Sequence, residues 1–274
     1  MMDKLNLINP QWQGGADIAV LAGTREIEEL YLKDAPAARV PVSGNPALTA
    51  EHGVLGYREI KQQTLDASGI LRGSGAKRVF TVGGSCDADA ASILYANEIY
   101  RGDLAVLWLD AHGDINAPEE SATHLFYGMP VRMLLGGCGA AFADIVPEPM
   151  APRQFVHLGA RDLEAAESRF MRRSRMPVIP ARGVADLPGA ILEALRITGR
   201  RHLYVHLDLD VLEPADFPHT AVPVEAGLPL SGLMPLLTAL RQKTELVGFG
   251  FFEYIPAGAK TGAMEQLVRF GLDL

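Results

Sequence analysis

The sequence contains few cysteines, no concentrated positive charge and no long apolar run, and each absence narrows the possible functions. Only Cys86 and Cys138 occur among 274 residues, which argues against a disulfide framework and favours reduced thiols. The net charge is −8 and no long basic run is present, which argues against a nucleic-acid partner. No apolar run approaches the roughly 18 residues that a membrane-spanning helix needs. Residues 1–23 lack the pattern of a signal peptide, so we expect a cytoplasmic protein without a membrane partner.

Apolar residues are nevertheless abundant, since 48% of the chain is hydrophobic and the mean hydropathy is +0.10. They are enough for a sizeable core. Several short runs are continuous rather than alternating, which is typical of strands buried on both faces of a parallel sheet. We predict a strand in each of seven segments, starting at its first residue: 16–23, 77–84, 104–114, 155–162, 176–181, 202–210 and 245–254.

Segments with helical spacing lie between these runs. We predict helices over 56–73, 87–102, 190–199 and 231–243, and a surface loop over the Pro- and Gly-containing stretch 140–154. The alternation of strand and helix continues along the chain without a linker or an internal repeat. It therefore predicts one α/β domain over residues 1–274, with right-handed crossovers between parallel strands.

Polar side chains follow two of the predicted strands. Asp110, His112 and Asp114 alternate after the run at 104, and Asp208 and Asp210 alternate after the run at 202. If these segments stay extended, the period of two places each set on one face of its strand. Sites in open α/β sheets lie at the carboxyl ends of strands, so we expect the two sets to converge.

Four converging carboxylates would repel one another and resist ionisation unless a cation lay between them. A hard divalent metal, or two, resolves the repulsion, and oxygen ligands with some imidazole suit Mn²⁺. Two metals bridged by shared carboxylates would activate a water near neutral pH. Taken singly, each Asp-x-Asp or Asp-x-His pair also fits an ordinary turn or surface feature. Their placement after two apolar strands favours the metal site.

Five stretches together resemble motifs of the arginase (ureohydrolase) family, which hydrolyses guanidino groups with two manganese ions. They are DAHGDIN (110–116), HLDLDVLEP (206–214), VGGSCDADAAS (82–92), GARDLEAAE (159–167) and GFGFFEYIP (248–256). The third falls where the family carries Gly-Gly-Asp-His-Ser. The resemblance implies a three-layer α/β/α fold with a mainly parallel central sheet of about eight strands.

The resemblance also implies a role for each matching residue. One Mn²⁺ would be held by Cys86, Asp110, Asp114 and Asp208, and the other by Asp110, His112, Asp208 and Asp210. Asp114 would also transfer a proton to the leaving amine, and Glu253 would pair with the guanidinium-like end of the substrate. The positions that grip an amino-acid head group are Asn116, Ser121 and Thr123 for the α-carboxylate, and Glu164 and Glu167 for the α-amino group.

Several positions depart from the family pattern. Cys86 replaces a histidine ligand, Tyr127 replaces a proton-shuttling histidine, His206 replaces a serine, and Glu213 replaces an aspartate. Sulfur is softer than Mn²⁺ prefers, so we expect the Cys86 metal site to be the weaker one. Alternatively, Cys86 is a small buried hydrophobe and Tyr127 a space-filling aromatic. His124 and His206 are predicted as structural or substrate-rim residues rather than ligands, and Cys138 as inert.

These departures favour an unusual substrate. The resemblance, with the cysteine at the metal site, implies Nω-hydroxy-L-arginine, a guanidino amino acid, hydrolysed by metal-bound hydroxide to hydroxyurea and L-ornithine, with Tyr127 among the catalytic groups. Two alternatives stay open: an arginase or agmatinase that releases urea, and a catalytically silent relative that binds an amino acid as a regulator. A homo-oligomer is compatible with the resemblance, but the sequence shows no interface.

Overall fold

The computed structural model describes residues 3–274, and its central element is a sheet of eight strands within that range. Every pairing between adjacent strands in this sheet is parallel. In chain order its strands are β1 (Lys4–Asn9), β2 (Ala38–Arg39), β5 (Arg78–Gly83), β6 (Leu104–Leu109), β7 (Phe155–Leu158), β8 (Val178–Ile179), β9 (His202–Asp208) and β10 (Glu245–Phe252). Strands β3 (Ala50–Glu51) and β4 (Val54–Leu55) form a separate antiparallel pair.

Eight α-helices surround the sheet in the described part of the chain. They are α1 (Ile18–Tyr31), α2 (Tyr57–Ser74), α3 (Ala90–Ile99), α4 (Pro130–Leu134), α5 (Ala165–Ser174), α6 (Leu187–Thr198), α7 (Leu230–Lys243) and α8 (Gly262–Leu272). Short 3-10 turns occur at Cys86–Asp89 and Leu209–Val211. The sheet order is β2-β1-β5-β10-β9-β6-β7-β8, so four strand ends that carry polar residues lie side by side in the middle.

The two faces of the sheet are covered by different helices. On one face, Leu107 and Leu207 share a core with α1, α6, α7 and α8. On the other, Val106 and Tyr204 share a core with α2, α3, α4 and α5. Alternate strand residues therefore enter opposite cores, which explains the continuous apolar runs in the sequence. The predicted three-layer α/β/α fold with a parallel sheet of about eight strands is confirmed.

The strand predicted over 16–23 is wrong, because this run lies in helix α1. Asp17 caps the helix by accepting a hydrogen bond from the Ala19 N–H at 2.8 Å, and the helix continues through the polar residues that follow. A short apolar run has no periodicity that separates a buried strand from a buried helix. The first strand of the sheet is instead β1, which the sequence reading missed.

The other predicted elements lie close to those observed. Helices α2, α6 and α7 match the predicted ranges within a few residues, whereas the helix expected over 87–102 divides into a 3-10 turn and α3. The stretch 140–154 is a loop with two short 3-10 turns. Among residues 3–274, no helix is long and apolar enough to cross a membrane.

Candidate metal centre

Four adjacent strands deliver polar residues to one edge of the sheet. Strands β5, β10, β9 and β6 are neighbours in that order, and parallel pairing brings all their carboxyl ends to the same side. Cys86 lies three residues beyond β5, Asp110 follows β6, Asp208 ends β9 and Glu253 follows β10. The two aspartate motifs therefore lie at the same edge of the sheet, as predicted.

The segment after β6 does not stay extended, so the predicted alternation of Asp110, His112 and Asp114 on one strand face is wrong. The strand ends at Leu109, and Asp114 has a left-handed backbone with φ 54°. Three contacts hold the loop in this shape. The Glu167 carboxylate accepts the Ile115 N–H at 3.2 Å, and His157 Nε2 lies 3.1 Å from the Gly113 carbonyl. The Asp114 carbonyl accepts the Val131 N–H at 2.9 Å. The carboxylates of this segment are therefore oriented by a folded loop and not by the alternation of side chains along a strand.

Asp208 and Asp210 also leave the strand pattern, since Asp210 lies in the 3-10 turn Leu209–Val211. The turn is fixed because Asp208 Oδ1 accepts the Asp210 N–H at 2.7 Å. Asp210 Oδ1 in turn accepts the Ala111 N–H at 2.9 Å, which joins the loops after β6 and β9. These backbone bonds orient the second oxygen of each carboxylate for another partner.

The described part of the chain contains three groups of potential metal ligands. Within each group, the ligand atoms lie within 4.8 Å of one another. One group is Asp110, His112 and Asp210, a second is Cys86, Asp208 and Glu253, and the third is Cys86, Asp110 and His206. Five of the six ligands suggested by the sequence are thus brought together. Asp114 belongs to none of these groups, and Glu253 and His206 join them instead.

Burial makes this cluster of carboxylates costly without a cation. Burial raises the pKa values of Asp208 and Glu253 well above the usual range, with the charges of neighbouring carboxylates adding to the effect on Asp208. The pKa of Asp210 is raised to about 6, again mainly by burial and then by Asp110. Burial likewise raises the pKa of Cys86 well above that of an ordinary thiol.

His112 is the imidazole that faces this cluster on the β6 side. Its Nδ1 lies 2.9 Å from Asp210 Oδ2 and 3.4 Å from Asp110 Oδ1. Burial alone would lower the pKa of His112, but its contacts with Asp110 and Asp210 raise it. Burial alone would raise the pKa of Asp110, but His112 lowers it. One imidazole thus offsets part of the charge of two carboxylates.

Asp114 shows most directly that the cluster lacks positive charge. Its Oδ2 is buried and has no hydrogen-bond partner among residues 3–274. Burial raises the pKa of Asp114 well above its usual value, and the charge of Asp110 adds to this. An unpartnered carboxylate oxygen beside other buried carboxylates fits a divalent cation with oxygen ligands. The donor set of carboxylates, one or two imidazoles and a thiol is therefore compatible with two metal ions.

The backbone before Cys86 is packed too closely for a side chain at Gly83 or Gly84. A Cβ at Gly83 would lie 2.2 Å from the Phe252 ring, and one at Gly84 would lie 2.0 Å from the Gln11 carbonyl. Cys86 then enters a 3-10 turn, where its N–H donates to Glu253 Oε1 at 3.1 Å. Its sulfur lies 2.9 Å from Asp208 Oδ2 and 4.0 Å from Asp110 Oδ2. The thiol thus points into the cluster of carboxylates.

Ser85 and Asp87 flank the cysteine and form a pair of their own. The Ser85 hydroxyl donates to Asp87 Oδ1 at 2.6 Å, and the Gln11 amide donates to Asp87 Oδ2. Burial nevertheless raises the pKa of Asp87 to about 6, because these hydrogen bonds compensate only part of the lost hydration. Where the family motif has aspartate before and serine after the central ligand, this chain has serine before and aspartate after.

Glu253 also adopts a left-handed backbone, with φ 62°. Its N–H donates to the Gly84 carbonyl at 2.8 Å, and its carbonyl accepts the Ala221 N–H at 3.1 Å. A non-glycine residue in this region costs about 1 kcal/mol or more, and such strain is concentrated at functional sites. Asp114 and Glu253 are thus two carboxylates whose strained backbones the surrounding hydrogen bonds hold in place.

The residues predicted to grip a head group lie in one area outside the carboxylate cluster. Asn116 Nδ2 donates to Glu164 Oε1 at 3.1 Å, which links the predicted carboxylate side to the predicted amino side. Ser121 Oγ lies 3.4 Å from Thr123 Oγ1. Glu167 differs from the others, because both of its oxygens accept backbone N–H groups, those of Ile115 and Glu164. Its carboxylate therefore caps α5 and holds the loop after β6.

Tyr127 and His124 differ in exposure. Tyr127 is partly buried, and burial raises its pKa; the charge of His112 lowers it, whereas the charges of Asp114 and Glu253 raise it further. His124 is exposed, with Nδ1 lying 3.1 Å from the Gly53 carbonyl. Cys138 is buried, and burial raises its pKa to about 12.

The environment of His206 was missed by sequence reasoning. The side chain is fully buried, which excludes a place at a substrate rim, and its Nε2 lies 3.3 Å from Cys86 Sγ. A signal was present in the sequence, because residues 206 and 208 of one strand share a face. The sequence alone could not show that the loop after β5 brings Cys86 to this face.

Comparison with known proteins agrees with this geometry. The profile described as Arginase family matches residues 18–269. An arginase of Staphylococcus aureus is 27% identical over 213 residues, covering 75% of this chain and 70% of that one. For an arginase of Coccidioides posadasii the identity is 31% over 180 residues, covering 63% of this chain and 56% of that one. The crystal structure of Entamoeba histolytica arginase in complex with L-ornithine superposes with a TM-score of 0.86 at 18% identity, covering 99% and 98% of the two chains.

The fold and the buried carboxylate cluster are those of a hydrolase family that acts on guanidino compounds at a binuclear metal site, typically of manganese. The chain belongs to the arginase family.

Proposed function

We propose that the protein is a dimanganese amidinohydrolase that cleaves Nω-hydroxy-L-arginine to hydroxyurea and L-ornithine. The observation that carries the proposal is the sulfur of Cys86 among the carboxylates of Asp110 and Asp208, at a position where the family has an imidazole. Tyr127 supports it, because a phenol replaces the histidine that shuttles protons in arginases. We further propose that residues 1–274 form one domain, since one sheet runs through the described chain.

Two groups of side chains would hold the metals. Asp110 would contribute to both, since it belongs to a group with Cys86 and to a group with His112, and Asp208 would do so as well, as the resemblance to the family implies. The remaining ligands would be Cys86 and Asp114 on one side and His112 and Asp210 on the other. The metal pair supplies a water activated near neutral pH and charge that stabilises the transition state. Asp114 fits this set because its Oδ2 is buried without a partner among the described residues.

Asp114 and Glu253 would handle protons and charge in the reaction. The carboxylate oxygen of Asp114 that does not hold a metal would accept a proton from the attacking water and deliver it to the leaving amine of L-ornithine. Glu253 would orient the N-hydroxyguanidino group, since its Oε1 is held by the Cys86 N–H and its backbone is fixed by Gly84. The left-handed backbones of both residues preset these orientations before substrate binds.

The head group of an amino acid would bind at Asn116, Ser121, Thr123 and Glu164. The contact between Asn116 and Glu164 places an amide and a carboxylate side by side, as recognition of an α-carboxylate next to an α-amino group requires. The related Entamoeba enzyme was crystallised with L-ornithine, which has this head group. Glu167 would act on the head group through Glu164 and the loop after β6, both of which it holds.

The substrate follows from what the chain has in place of two histidines. An N-hydroxyguanidine is less basic than a guanidine, so loss of a proton-shuttling histidine is less costly. The cysteine at the metal-site position resembles the Nω-hydroxy-L-arginine amidinohydrolase of D-cycloserine biosynthesis. On this basis we place the reaction in the supply of hydroxyurea for antibiotic biosynthesis.

Product analysis tests the proposal. The Mn²⁺-loaded protein is incubated separately with Nω-hydroxy-L-arginine and L-arginine, with Asp208→Ala as a control that removes a bridging carboxylate. We expect hydroxyurea and L-ornithine from the first substrate, and neither product from the control. Urea from L-arginine alone would identify an ordinary arginase. Binding of the amino acid without any product would identify a silent relative.

A further inference from the structure

A row of buried polar side chains lies beneath the proposed metal centre, on the face of the sheet that packs against α3. These side chains are Asp89, Tyr204 and His206. His206 is fully buried, with its Nδ1 2.9 Å from Asp89 Oδ2 and its Nε2 3.3 Å from Cys86 Sγ. His206 precedes Asp208 by two residues on β9, so it lies further from the carboxyl end of the strand. It therefore contacts the sulfur from the interior of the protein. The reaction proposed above gives none of these three residues a role.

The imidazole of His206 is held between two aromatic rings. The Trp108 ring is stacked on it at 3.5 Å between centroids and 10° between planes, and the Phe252 ring at 4.7 Å and 9°. Gly250, which pairs with His206 across the sheet, makes room for this arrangement. A Cβ at Gly250 would lie 2.8 Å from the Phe252 ring and 3.1 Å from Asp89 Oδ1. The ring plane is therefore fixed by packing.

The rotation of the imidazole within that plane is fixed by Asp89. Its carboxylate accepts the Tyr204 hydroxyl at 2.6 Å, which anchors the carboxylate itself. Since a carboxylate accepts hydrogen bonds, the nitrogen facing it, Nδ1, carries a hydrogen. Nε2 then faces the sulfur. This contact persists whichever of the two atoms, Nε2 or Sγ, carries the hydrogen between them.

We propose that His206 is a positioning residue that fixes the Cys86 sulfur as a ligand of the weaker metal site. The two side chains together would serve the role that a single imidazole has in the family at position 86. A cysteine side chain has three staggered positions of its sulfur, and the contact with His206 selects the one that faces the carboxylates. The inference rests on the proposed function, because it assumes that Cys86 ligates metal.

Partners of ligands typically contribute 10–100-fold to metal affinity. Loss of the His206–sulfur contact should therefore weaken one metal by about that factor and leave the His112 site occupied. A role in packing alone would not distinguish the two nitrogens of His206. Two substitutions separate them: the side-chain nitrogen of asparagine reaches the position of Nδ1, and that of glutamine reaches the position of Nε2.

The experiment loads the full chain with Co²⁺, which absorbs strongly in the near ultraviolet when a thiolate is bound to it. His206→Asn keeps the Asp89 contact and should lose this absorption, with the second Co²⁺ bound about 10–100-fold more weakly. His206→Gln keeps a group beside the sulfur and should retain the absorption. In a Cys86→His background, the further change His206→Asn should leave Co²⁺ stoichiometry unchanged, because the ligand is then an imidazole.

Wild-type absorption and affinity in His206→Asn would overturn the inference, as would equal losses in both single variants. Absence of the absorption in the wild-type protein with two Co²⁺ bound would overturn it together with the assignment of Cys86 as a ligand. Formation of hydroxyurea in that case would leave the proposed reaction standing. Failure of the reaction and failure of the inference are thus distinguishable.

Discussion

The sulfur of Cys86 and the carboxylate of Asp208 are in hydrogen-bond contact, with 2.9 Å between Sγ and Oδ2. This contact joins the loop after β5 to the end of β9 and places a thiol in the layer of carboxylates. Both groups are buried, and burial raises the pKa of each. A cation shared between them would relieve that cost, which makes metal binding at this contact open to direct test.

Cys86→His should tighten the weaker metal site. An imidazole suits Mn²⁺ better than a thiolate does, so we expect about a tenfold gain in affinity for one of the two ions. Manganese titration followed by calorimetry measures it. Cys138→Ser is the matched control, since this second buried cysteine belongs to none of the potential ligand groups in residues 3–274. Unchanged manganese binding in Cys86→His would show that Cys86 is not a ligand.

Glu253→Gln should reduce kcat/KM by about 100-fold while both metals stay bound, because a hydrogen bond to a charged group contributes up to about 3 kcal/mol. The amide oxygen of glutamine can still accept the Cys86 N–H, so the local backbone is preserved. Steady-state kinetics and metal analysis on the same preparation measure the two effects. Activity at the wild-type level would remove Glu253 from the reaction.

Tyr127→Phe should lower kcat by about tenfold with unchanged metal content, because it removes a hydroxyl close to the cluster and preserves the ring. The burial of the ring beside Gly15 is retained, so no loss of stability is expected. Single-turnover kinetics measure the chemical step. If the turnover rate does not change, Tyr127 is a space-filling aromatic.

Glu164→Gln should weaken competitive inhibition by L-ornithine by about tenfold, since it removes the charge that would pair with the α-amino group. Glutamine can still accept the Asn116 amide, so the Asn116 side chain stays in place. The inhibition constant of L-ornithine is compared with that of an analogue without the α-amino group. Equal changes for the two inhibitors would contradict recognition of the amino group at this residue.

Asp87→Asn should remove a pH dependence of stability. The pKa of Asp87 is raised from 3.8 to about 6 in the folded protein, so the folded state holds the proton more tightly than the unfolded state does. The wild-type free energy of unfolding therefore falls as pH rises from about 4 to about 6, and stays lower above that. Relative to wild type, Asp87→Asn should gain on the order of 2–3 kcal/mol across this window.

Chemical denaturation in the presence of a chelator measures this difference without metal binding. Asp34→Asn, at an exposed aspartate, is the control and should show no such gain. A constant difference between Asp87→Asn and wild type from pH 4 to 7 would contradict the raised pKa.

The continuous apolar runs were sufficient to predict parallel strands alternating with helices, and the resemblance to arginases implied the three-layer arrangement with about eight strands. The apolar run at 16–23 was misleading. Asp17 caps a helix there, and the helix continues through the polar residues that follow the run. The sequence reading also missed β1, because Lys4 and Asn6 interrupt its apolar residues and leave only a short continuous run at Leu7 and Ile8.

For the site, the spacing of the aspartates located the cluster, although for a partly wrong reason. The side chains of Asp110 and Asp114 are aimed by a folded loop that Glu167 and His157 hold, not by strand alternation. Glu167 lies on α5 and His157 on β7, both far along the chain from the loop that they hold. Contacts of that kind depend on tertiary packing, which no local pattern in the sequence records.

The proposed function requires a preference for an N-hydroxylated over an unmodified guanidino group. The most direct measurement is the ratio of kcat/KM for Nω-hydroxy-L-arginine to that for L-arginine, with the Mn²⁺-loaded protein and both products quantified. We predict a ratio far above one, with hydroxyurea as the product. A ratio below one, with urea released from L-arginine, would contradict the claim.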